Sequence, residues 1–307
     1  MAVVGPTASG KSQVAMELAR RGGRSPVEIV SVDSMQVYRG MDIGTAKPTS
    51  AEREAIRHHL VDVADPSEEF SVSRYQAGAA AALAEVAERP ARALLVGGTG
   101  LYLRAVVDEL EIPGQWPEVR AALEEEADRG GVPALHDRLA ALDPTAAGRM
   151  LATNRRRVLR ALEVCIGSGR PFSSYGPGLE AYPPRPVRIF GLEVERAELD
   201  ERIARRYERQ MAVGFLDEVA ALAARPAGLS RTARQALGYR ELLAHLAGRL
   251  GREEAVAEAV RRTRSFARRQ QAWFRRDPRV EWVPAGGAEG PGKAVAAIAA
   301  GLGDWWG

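Results

Sequence analysis

The sequence predicts an α/β protein, with a parallel sheet core flanked by helices and an all-helical insertion domain. In the first third of the chain, short apolar segments alternate with segments whose apolar residues recur at helical spacing. From about residue 113, only helical patterns follow until about residue 186. Apolar strands separated by helices are typical of a parallel sheet buried on both faces, and the helical run is typical of an insertion.

The core is predicted to comprise residues 1–112 and 186–307. Its predicted strands are, in chain order, Met1–Val4, Val27–Val32, His59–Val63, Ala93–Val96, Val187–Val194 and Val280–Val283. Its predicted helices are Lys11–Arg21, Ala51–His59, Ser73–Glu88, Arg196–Gly214, Phe215–Ala224, Thr232–Leu250, Glu253–Arg275 and Gly292–Leu302. In the first of these helices, the apolar residues have the spacing of one buried face.

The insertion is predicted over residues 113–185. Its predicted helices are Val119–Arg129, Val132–Leu142, Asp143–Met150 and Asn154–Ser168. A connector follows, Pro171–Pro186, in which proline and glycine are so frequent that no regular element is expected. Cys165 lies in an apolar stretch of the last helix, so we expect a buried thiol there and not a nucleophile.

The composition is that of an ordinary globular protein, because 46% of the 307 residues are hydrophobic and 27% are charged. No apolar run is long enough to cross a bilayer, no signal peptide is recognised and the single cysteine cannot form an internal disulfide, so a cytoplasmic protein is expected. Residues 1–150 carry 16 basic and 22 acidic side chains, whereas residues 151–307 carry 27 and 18. This basic second half predicts a polyanionic partner, with compositional drift as the alternative.

The segment GPTASGKS, Gly5–Ser12, is a G-x-x-x-x-G-K-[ST] phosphate loop between a predicted strand and a predicted helix. Gly5 and Gly10 allow main-chain N–H groups to converge on phosphate oxygens, and the helix N-terminus adds partial positive charge. Lys11 can reach the terminal phosphates, and the Ser12 hydroxyl can ligate Mg²⁺, the expected cofactor. The predicted di- or triphosphate site is therefore formed by Gly5, Pro6, Thr7, Ala8, Ser9, Gly10, Lys11 and Ser12.

Two further segments follow predicted strands and so reach the same edge of the sheet. Asp33 begins the segment DSMQVYRGMDIGTAKP (33–48), and a carboxylate there can hold Mg²⁺, orient a substrate or take a proton. The alternative is an aspartate that only caps the following turn. GGTG, at 97–100, supplies glycines that allow a close approach and the hydroxyl of Thr99.

Arginine clusters indicate further anion contacts. Arg202, Arg205 and Arg206 lie on one predicted helix, where Arg202 and Arg206 are i, i+4 neighbours. They can clamp a phosphate chain, as lid arginines of nucleotide kinases do, and the alternative is a solvated helix face. The run RRTRSFARRQQAWFRR (261–276) mixes arginine with aromatic residues that can stack on unpaired bases. Phe266 and Trp273 are seven residues apart, however, so the alternative is one apolar stripe in the core.

Together these segments resemble the tRNA dimethylallyltransferase (tRNA isopentenyltransferase) family in its bacterial form, over nearly the whole chain. The matching segments are GPTASGKS at 5–12, DSMQVYRGMDIGTAKP at 33–48, RHHLVD at 57–62, LLVGGTGLY at 94–102, PEVR at 117–120, RRVLRALEV at 156–164, QALGYREL at 235–242 and RRQQAWFRR at 268–276. The segment at 33–48 is far more specific than the phosphate loop. The resemblance implies transfer of a dimethylallyl group from dimethylallyl diphosphate to the exocyclic amine of the tRNA adenosine 3′-adjacent to the anticodon, releasing pyrophosphate.

The resemblance also implies roles for individual residues. Asp33 is expected to be the general base, and Thr99 to position the amine and Asp33. Lys11 is expected to neutralise charge on the pyrophosphate, and Ser12 to ligate Mg²⁺. The expected tRNA contacts are Asp33, Ser34, Met35, Gln36, Thr99, Arg120, Arg156, Arg157, Val158, Leu159, Arg160, Gln235, Arg240, Arg268, Arg269 and Arg275. A monomer without membrane contact is expected.

Two other classes of protein compete with this interpretation. A P-loop kinase for a small molecule or a nucleotide would explain the phosphate loop and the pair Arg202 and Arg206. It would not explain the basic second half or the long segment after Asp33. A non-catalytic RNA-binding protein that uses a nucleotide as a switch would retain RNA binding but give no product with any allylic donor.

Overall fold

The computed structural model describes residues 1–22 and 25–302, which form two compact units. The first unit comprises Met1–Val107 and the chain from Pro184 onward, and the second comprises Asp108–Pro183. The insertion was predicted over 113–185. In the part of the chain that the structure describes, no helix combines the length and the apolar character needed to cross a membrane.

The first unit is built on a sheet of six strands, all parallel. The strands are β1 (Ala2–Val4), β2 (Val27–Val32), β3 (His58–His59), β4 (Arg92–Gly97), β5 (Ile189–Glu193) and β6 (Val280–Pro284), in the order β3-β2-β4-β1-β5-β6 across the sheet. Both β1 and β2 are buried along their whole length, so the sheet is covered on both faces. The predicted α/β fold is therefore confirmed.

Helices account for most of the remaining structure. In chain order they are α1 (Lys11–Arg21), α2 (Ser50–Ala55), α3 (Val72–Ala87), α4 (Gly100–Val107), α5 (Pro117–Gly130), α6 (Val132–Leu142), α7 (Pro144–Gly148), α8 (Arg155–Ser168), α9 (Arg196–Ala212), α10 (Phe215–Ala223), α11 (Arg231–Arg234), α12 (Tyr239–Leu246), α13 (Arg252–Arg275) and α14 (Gly290–Leu302). Side-chain caps begin several of them; the Ser71 hydroxyl, for example, accepts the Arg74 N–H at the start of α3.

The core of the first unit supports the carboxyl end of β2. Tyr75 of α3 is fully buried and stacks on Tyr102 of α4, with ring centroids 4.1 Å apart. The Tyr75 hydroxyl donates to the carbonyl oxygen of Ser31, at 3.0 Å. This pair of aromatic residues therefore fixes β2 two residues before Asp33.

The prediction of one helix over Thr232–Leu250 is wrong, because the segment forms α11 and α12, which are separated at Gly238. Gly238 adopts a φ of +86°, and a Cβ there would lie 2.7 Å from the Phe215 ring. The Gly238 N–H donates to the Glu241 carboxylate at 2.9 Å, which caps the new helix. Helix α4 was not predicted, because its eight residues are mostly apolar and give no clear helical periodicity.

The predicted boundaries around β3 are also wrong. The helix predicted over Ala51–His59 ends at Ala55, and the strand predicted over His59–Val63 is reduced to the two residues of β3. Leu60 and Asp62 adopt φ values of +62° and +60°. Such backbone angles are incompatible with a strand, so the chain turns there instead.

The second unit contains helices α5 to α8 around its own apolar core. Fully or almost fully buried residues of this core are Leu123, Leu135, Leu139, Val158, Leu159 and Leu162. Cys165 of α8 is buried against it, so the prediction of a buried thiol is confirmed. Burial raises the pKa of the thiol, which disfavours the thiolate form.

The connector contains one element that was not expected. Phe172–Ser174 forms a short 3₁₀ turn, so the prediction that no element persists over Pro171–Pro186 is wrong. The carboxylate of Asp143 accepts both the N–H of Ser173, at 2.7 Å, and its hydroxyl, at 2.8 Å. This buried aspartate therefore stabilises the turn in spite of the proline that precedes it.

Candidate functional site

Three loops leave the sheet side by side at the carboxyl ends of β1, β2 and β4. In the sheet, β4 lies between β1 and β2, and Gly97 at its end is in register with both Val4 and Val32. The loops that follow are the phosphate loop, the segment that begins at Asp33 and the GGTG loop. They therefore meet at one edge of the sheet, as the sequence predicted, and we call this region the strand-end site.

The phosphate loop connects β1 to α1. Gly5 and Gly10 adopt φ values of +152° and +92°, and a Cβ at Gly5 would lie 3.2 Å from the carbonyl oxygen of Leu192. Ser9 is fully buried, whereas Ser12, in the first turn of α1, is exposed. The glycines are thus required by the backbone, and the Ser12 hydroxyl is accessible to a ligand.

Lys11 is held within the loop. Its Nζ donates to the carbonyl oxygen of Pro6 at 2.7 Å. The pKa of Lys11 is lowered to about 8, mainly by burial. The nearby charge of Asp33 raises this pKa, and the charge of Arg206 lowers it. Because burial weakens the charged form, an anion bound in the loop would stabilise the ammonium strongly.

Arg206, on α9, connects the phosphate loop to the segment after Asp33. Its guanidinium donates to the Thr7 hydroxyl at 3.0 Å and to the carbonyl oxygen of Gly44 at 3.1 Å, and burial lowers its pKa. Arg202, one turn earlier, is paired with Glu198 at 2.5 Å. Arg206 is in direct contact with the loop, and neither it nor Arg202 lies on a fully solvated face. Arg205 is exposed, so the alternative of a solvated face holds for Arg205 only.

Asp33 caps the turn that it begins. Its Oδ1 accepts the N–H groups of Met35, at 2.8 Å, and Gln36, at 3.3 Å. The Thr99 hydroxyl accepts the N–H of Ser34, at 3.1 Å, so it lies beside the same turn. The capping interpretation therefore describes the structure correctly, but the cap uses only one carboxylate oxygen.

These groups line one cavity of about 990 Å³, which is at the upper end of the size range of small-molecule sites. The predicted site residues in its wall are Thr7, Ala8, Gly10, Lys11, Ser12, Asp33, Ser34, Met35, Gln36, Thr99, Arg202, Arg206, Gln235 and Arg269. The remaining residues of the phosphate loop, Gly5, Pro6 and Ser9, are buried. The structure thus brings together most of the residues that were predicted to bind the diphosphate or the target base.

Helix α13 presents its arginines and its aromatic residues to different surroundings. The arginines of α13 that were expected to contact RNA, Arg268, Arg269 and Arg275, are exposed, and so is Arg240 of α12. Trp273 is half-buried against the core, as the alternative interpretation has it, whereas Phe266 lines the cavity. The basic face of α13 is therefore accessible to a polyanion, but its aromatic residues do not form one exposed stacking surface.

In the second unit, the residues expected to contact RNA fall into two groups. Arg156 and Arg157 lie on the exposed face of α8. Val158 and Leu159 are fully buried in the core of the unit. The expected RNA contact of Val158 and Leu159 does not fit this placement, because their side chains are not accessible to a partner.

Arg120 and Arg160 make ion pairs within the second unit. Both contact the buried carboxylate of Glu163, at 3.8 and 2.8 Å, and Arg160 also donates to the carbonyl oxygen of Pro113 at 2.9 Å. Glu163 in turn accepts the N–H of Trp116 at 3.0 Å. These arginines therefore stabilise the unit, besides any contact with RNA.

Glu218 of α10 was not identified from the sequence, although it organises the segment after Asp33. Its carboxylate accepts the N–H groups of Asp42, Ile43 and Gly44, at 2.9, 2.7 and 3.3 Å, and the hydroxyl of Tyr239 at 2.5 Å. Glu218 lies 176 residues from Asp42 in the chain. No local pattern indicates such a contact.

Lys47 has a similar structural role in the same segment. Its buried Nζ donates to the carbonyl oxygen of Tyr38 and to the carboxylates of Asp42 and Asp62, all within 2.6 Å. A buried ammonium with three oxygen partners holds its surroundings rigid. The Asp42 carboxylate is therefore a partner of Lys47, and its main-chain N–H is a partner of Glu218.

Two glycines of the GGTG loop, Gly98 and Gly100, are required by α13. A Cβ at Gly98 would lie 2.2 Å from Nε2 of Gln270, and one at Gly100 would lie 2.1 Å from the ring of Trp273. The sequence predicted that these glycines allow a close approach. The group that approaches is a helix of the protein itself.

A phosphate loop at the carboxyl edge of an all-parallel sheet defines a P-loop α/β protein. The profile of the IPP transferase family matches residues 36–277 of this chain. A tRNA dimethylallyltransferase of Streptomyces avermitilis is 52% identical over 289 residues, which are 94% of this chain and 91% of that protein. The chain therefore belongs to the IPP transferase family, and it is an enzyme, a prenyltransferase.

Solved structures agree with this assignment. The tRNA isopentenylpyrophosphate transferase of Bacillus halodurans superimposes with a TM-score of 0.69 at 38% identity, covering 99% of this chain and 96% of that one. A eukaryotic dimethylallyltransferase acting on tRNA gives a TM-score of 0.79 at 24% identity, covering 99% and 78%. The second comparison supports the fold alone.

Proposed function

We propose that the protein transfers a dimethylallyl group from dimethylallyl diphosphate to the exocyclic amine of the adenosine 3′-adjacent to the anticodon in tRNA. The observation that carries this proposal is the meeting of Asp33 and Thr99 with the phosphate loop around one cavity. The names of the bacterial relatives support the substrate class. The family match does not favour a kinase, and a kinase would also leave the long segment after Asp33 and the basic second half unexplained.

The phosphate loop would hold the leaving group. In the reaction, the bond between the allylic carbon and the diphosphate oxygen breaks and its electron pair goes to pyrophosphate. Lys11 and Arg206 bring two cationic groups to the loop, and both have pKa values lowered by burial. Neutralising charge in a site shielded from water is a large catalytic effect, so these residues would make pyrophosphate a better leaving group.

Asp33 would accept the proton that the amine loses as its nitrogen bonds to the allylic carbon. The Oδ1 atom is occupied by the N–H groups of the turn, so the proton would go to Oδ2. An amine conjugated with an aromatic ring is a poor nucleophile, and removing its proton assists the attack. The turn that Asp33 caps holds the carboxylate beside Thr99, which would position the amine.

The residues of the strand-end site fit a Mg²⁺ ion that arrives with the diphosphate. The Ser12 hydroxyl is exposed beside the loop and Asp33 lines the same cavity. Over residues 1–22 and 25–302, no three His, Cys, Asp or Glu side chains form a metal-binding cluster. Mg²⁺ commonly keeps several waters and binds through substrate phosphates, so Ser12 and the diphosphate oxygens would suffice, and the ion would supply charge neutralisation on the leaving group.

The basic surfaces of the two units would bind the RNA. Exposed arginines lie on α13, with Arg268 and Arg269, and on α8, with Arg156 and Arg157. Arg275 is also exposed, but its guanidinium is paired with Glu193 at 2.9 Å. Gln235 and Arg269 line the cavity itself, where a target base would enter. The base must leave its stack to reach the cavity, at a cost of a few kcal/mol that contacts inside the site would offset. We propose that one chain, as a monomer, carries out the reaction.

One incubation tests the proposed function. The protein is mixed with radiolabelled dimethylallyl diphosphate, Mg²⁺ and bulk tRNA that lacks the modification. Label on a single anticodon-loop adenosine is the expected result, with Asp33→Asn as the inactive control and a chelator as the test for Mg²⁺. No transfer by folded, RNA-bound protein would contradict the proposal, and ATP with a small acceptor would then test the kinase.

A further inference from the structure

Gln270 connects two of the three loops of the strand-end site. It lies on α13, is 8% exposed, and its side-chain amide makes two hydrogen bonds of 2.9 Å. Its Oε1 accepts the N–H of Thr7 in the phosphate loop, and its Nε2 donates to the carbonyl oxygen of Gly98 in the GGTG loop. Because one planar amide is both acceptor and donor, it fixes the spacing of the two loops.

The packing around this amide leaves the GGTG loop little freedom to move towards α13. No Cβ fits at Gly98 beside Gln270, and none fits at Gly100 beside Trp273, which lies one helical turn further on. The loop thus rests directly on two side chains of one helix. A change at Gln270 will therefore shift the loop or leave a gap, since interiors are packed too closely to absorb it.

The two loops that Gln270 joins serve opposite sides of the proposed reaction. Thr7 also accepts a hydrogen bond from Arg206, on the side that would hold the leaving pyrophosphate. Gly98 precedes Thr99, whose hydroxyl contacts the turn of Asp33, on the side that would hold the amine. The spacing between the loops thus sets the distance between donor and acceptor, and a misplacement of about 1 Å can cost about 10²-fold in rate.

The geometry points to Gln270 as a positioning residue that holds the phosphate loop and Thr99 in register for prenyl transfer. This inference rests on the proposed function. It differs from the RNA contacts that the resemblance implies for the nearby Arg268, Arg269 and Arg275. Gln270 faces the two loops, whereas the neighbouring Arg268 and Arg269 are exposed.

The decisive variant is Gln270→Met, which keeps the length of the side chain but removes both hydrogen bonds. The matched control is Gln271→Met, because Gln271 is the next residue of α13 and makes neither bond. We expect kcat to fall by about 10- to 100-fold in Gln270→Met, with the KM for the donor and the Kd for tRNA within about threefold of the wild type. The control should leave all three unchanged.

A second variant separates the two hydrogen bonds. Gln270→Glu retains an acceptor for Thr7 but, when ionised, has no proton for Gly98. Because this position is buried, we expect the pKa of a carboxyl there to be raised above its ordinary value of about 4.3. The kcat of this variant, relative to the wild type, should then rise as the pH is lowered from about 8 to about 6, because a protonated carboxyl both accepts and donates. A general loss of stability would not give this recovery, and the thermal midpoints of all variants are measured in parallel.

Hydrogen exchange tests the connection that Gln270 makes between the two loops, independently of prenyl transfer. Amides of residues 5–12 and 97–100 should exchange faster in Gln270→Met than in the control, even if the wild type transfers no prenyl group. If the wild type transferred no prenyl group, the proposed function would be overturned, but the connection that Gln270 makes between the two loops would not. An unchanged kcat with unchanged exchange would overturn the inference, as would a raised Kd for tRNA at normal kcat, which would make Gln270 an RNA contact.

Discussion

The strand-end site and the second unit hold their charged and polar groups in different ways. In the strand-end site the partners come from distant segments: Thr7 lies 263 residues from Gln270 and 199 from Arg206. In the second unit the partners lie closer along the chain: Arg160 and Glu163 are one helical turn apart, and Arg155 lies 27 residues from Asp128. Substitutions in the first region should therefore disturb several groups together, whereas those in the second should act locally.

The largest effect is expected at Asp33. Asp33→Asn keeps an oxygen for the N–H groups of Met35 and Gln36 but removes the base, so kcat should fall by about 10²- to 10⁴-fold while RNA binding persists. Asp33→Ala removes the cap as well and should be no more active. Single-turnover assays with filter binding measure both quantities. If Asp33→Asn turned over at nearly the wild-type rate, Asp33 would only cap the turn and would not be the base.

The pH dependence of donor binding should report Lys11. Its pKa is lowered to about 8, so the ammonium is present below that pH and lost above it. A bound diphosphate favours the charged form, so the KM for the donor should be flat up to about pH 8 and then rise, by up to about tenfold per unit.

The matched control for this pH profile is Lys11→Arg, because a guanidinium stays protonated throughout the range. The variant should lack the rise, whatever its affinity at neutral pH. Initial rates at saturating tRNA between about pH 7 and pH 9.5 supply the profiles. A donor KM that stays constant in the wild type up to the highest pH would show that Lys11 does not lose its charge there.

The two basic surfaces allow the units to be compared directly. Arg268→Ala with Arg269→Ala on α13, and Arg156→Ala with Arg157→Ala on α8, should each weaken RNA binding. Each pair should also reduce the slope of log K against log salt by about 1.4 to 1.8, the value for two phosphate contacts. Kd values at several salt concentrations provide the slopes.

The control for these variants is Arg261→Ala, since Arg261 is exposed on α13 but paired with Glu258. Its slope should equal that of the wild type. A normal slope for the α8 pair together with a reduced slope for the α13 pair would show that the first unit alone binds the phosphates. The reverse result would show that the basic face of α13 does not bind the RNA phosphates.

The smallest effect on activity is expected at Val158. Val158→Ala should lower the free energy of unfolding by about 2 kcal/mol, because it removes two methyl groups from a fully buried site. The salt dependence of RNA binding and kcat should not change. If a variant that is still folded lost affinity for RNA, the result would support the RNA contact that the resemblance implies for Val158, in spite of its buried position.

The sequence indicated the parts of the strand-end site that lie in continuous segments. The phosphate loop, Asp33 and Thr99 each follow an apolar strand, and the rule that ligands bind at the carboxyl ends of parallel strands brings them together. The residues that hold these segments in place, Gln270 and Glu218, lie far away in the chain, on helices. Their contacts depend on tertiary packing, which a single sequence does not reveal.

The errors in secondary structure have the same origin. The break at Gly238 is enforced by the ring of Phe215, and the turn after β3 depends on positive φ angles at Leu60 and Asp62. The resemblance implied RNA contacts for Val158 and Leu159, yet these residues occupy the buried face of an amphipathic helix. Helical spacing, applied to α8 residue by residue, would have separated them from Arg156 and Arg157.

The position of β1 in the sheet has a consequence for synthesis of the chain on the ribosome. β1 lies between β4 and β5, and the whole second unit is translated between those two strands. Because that unit has its own core, it can fold while the nascent sheet still lacks β5 and β6. The first strand to be made thus waits with one edge unpaired until β5 emerges, and a ribosome that stalls before then leaves that edge open to aggregation.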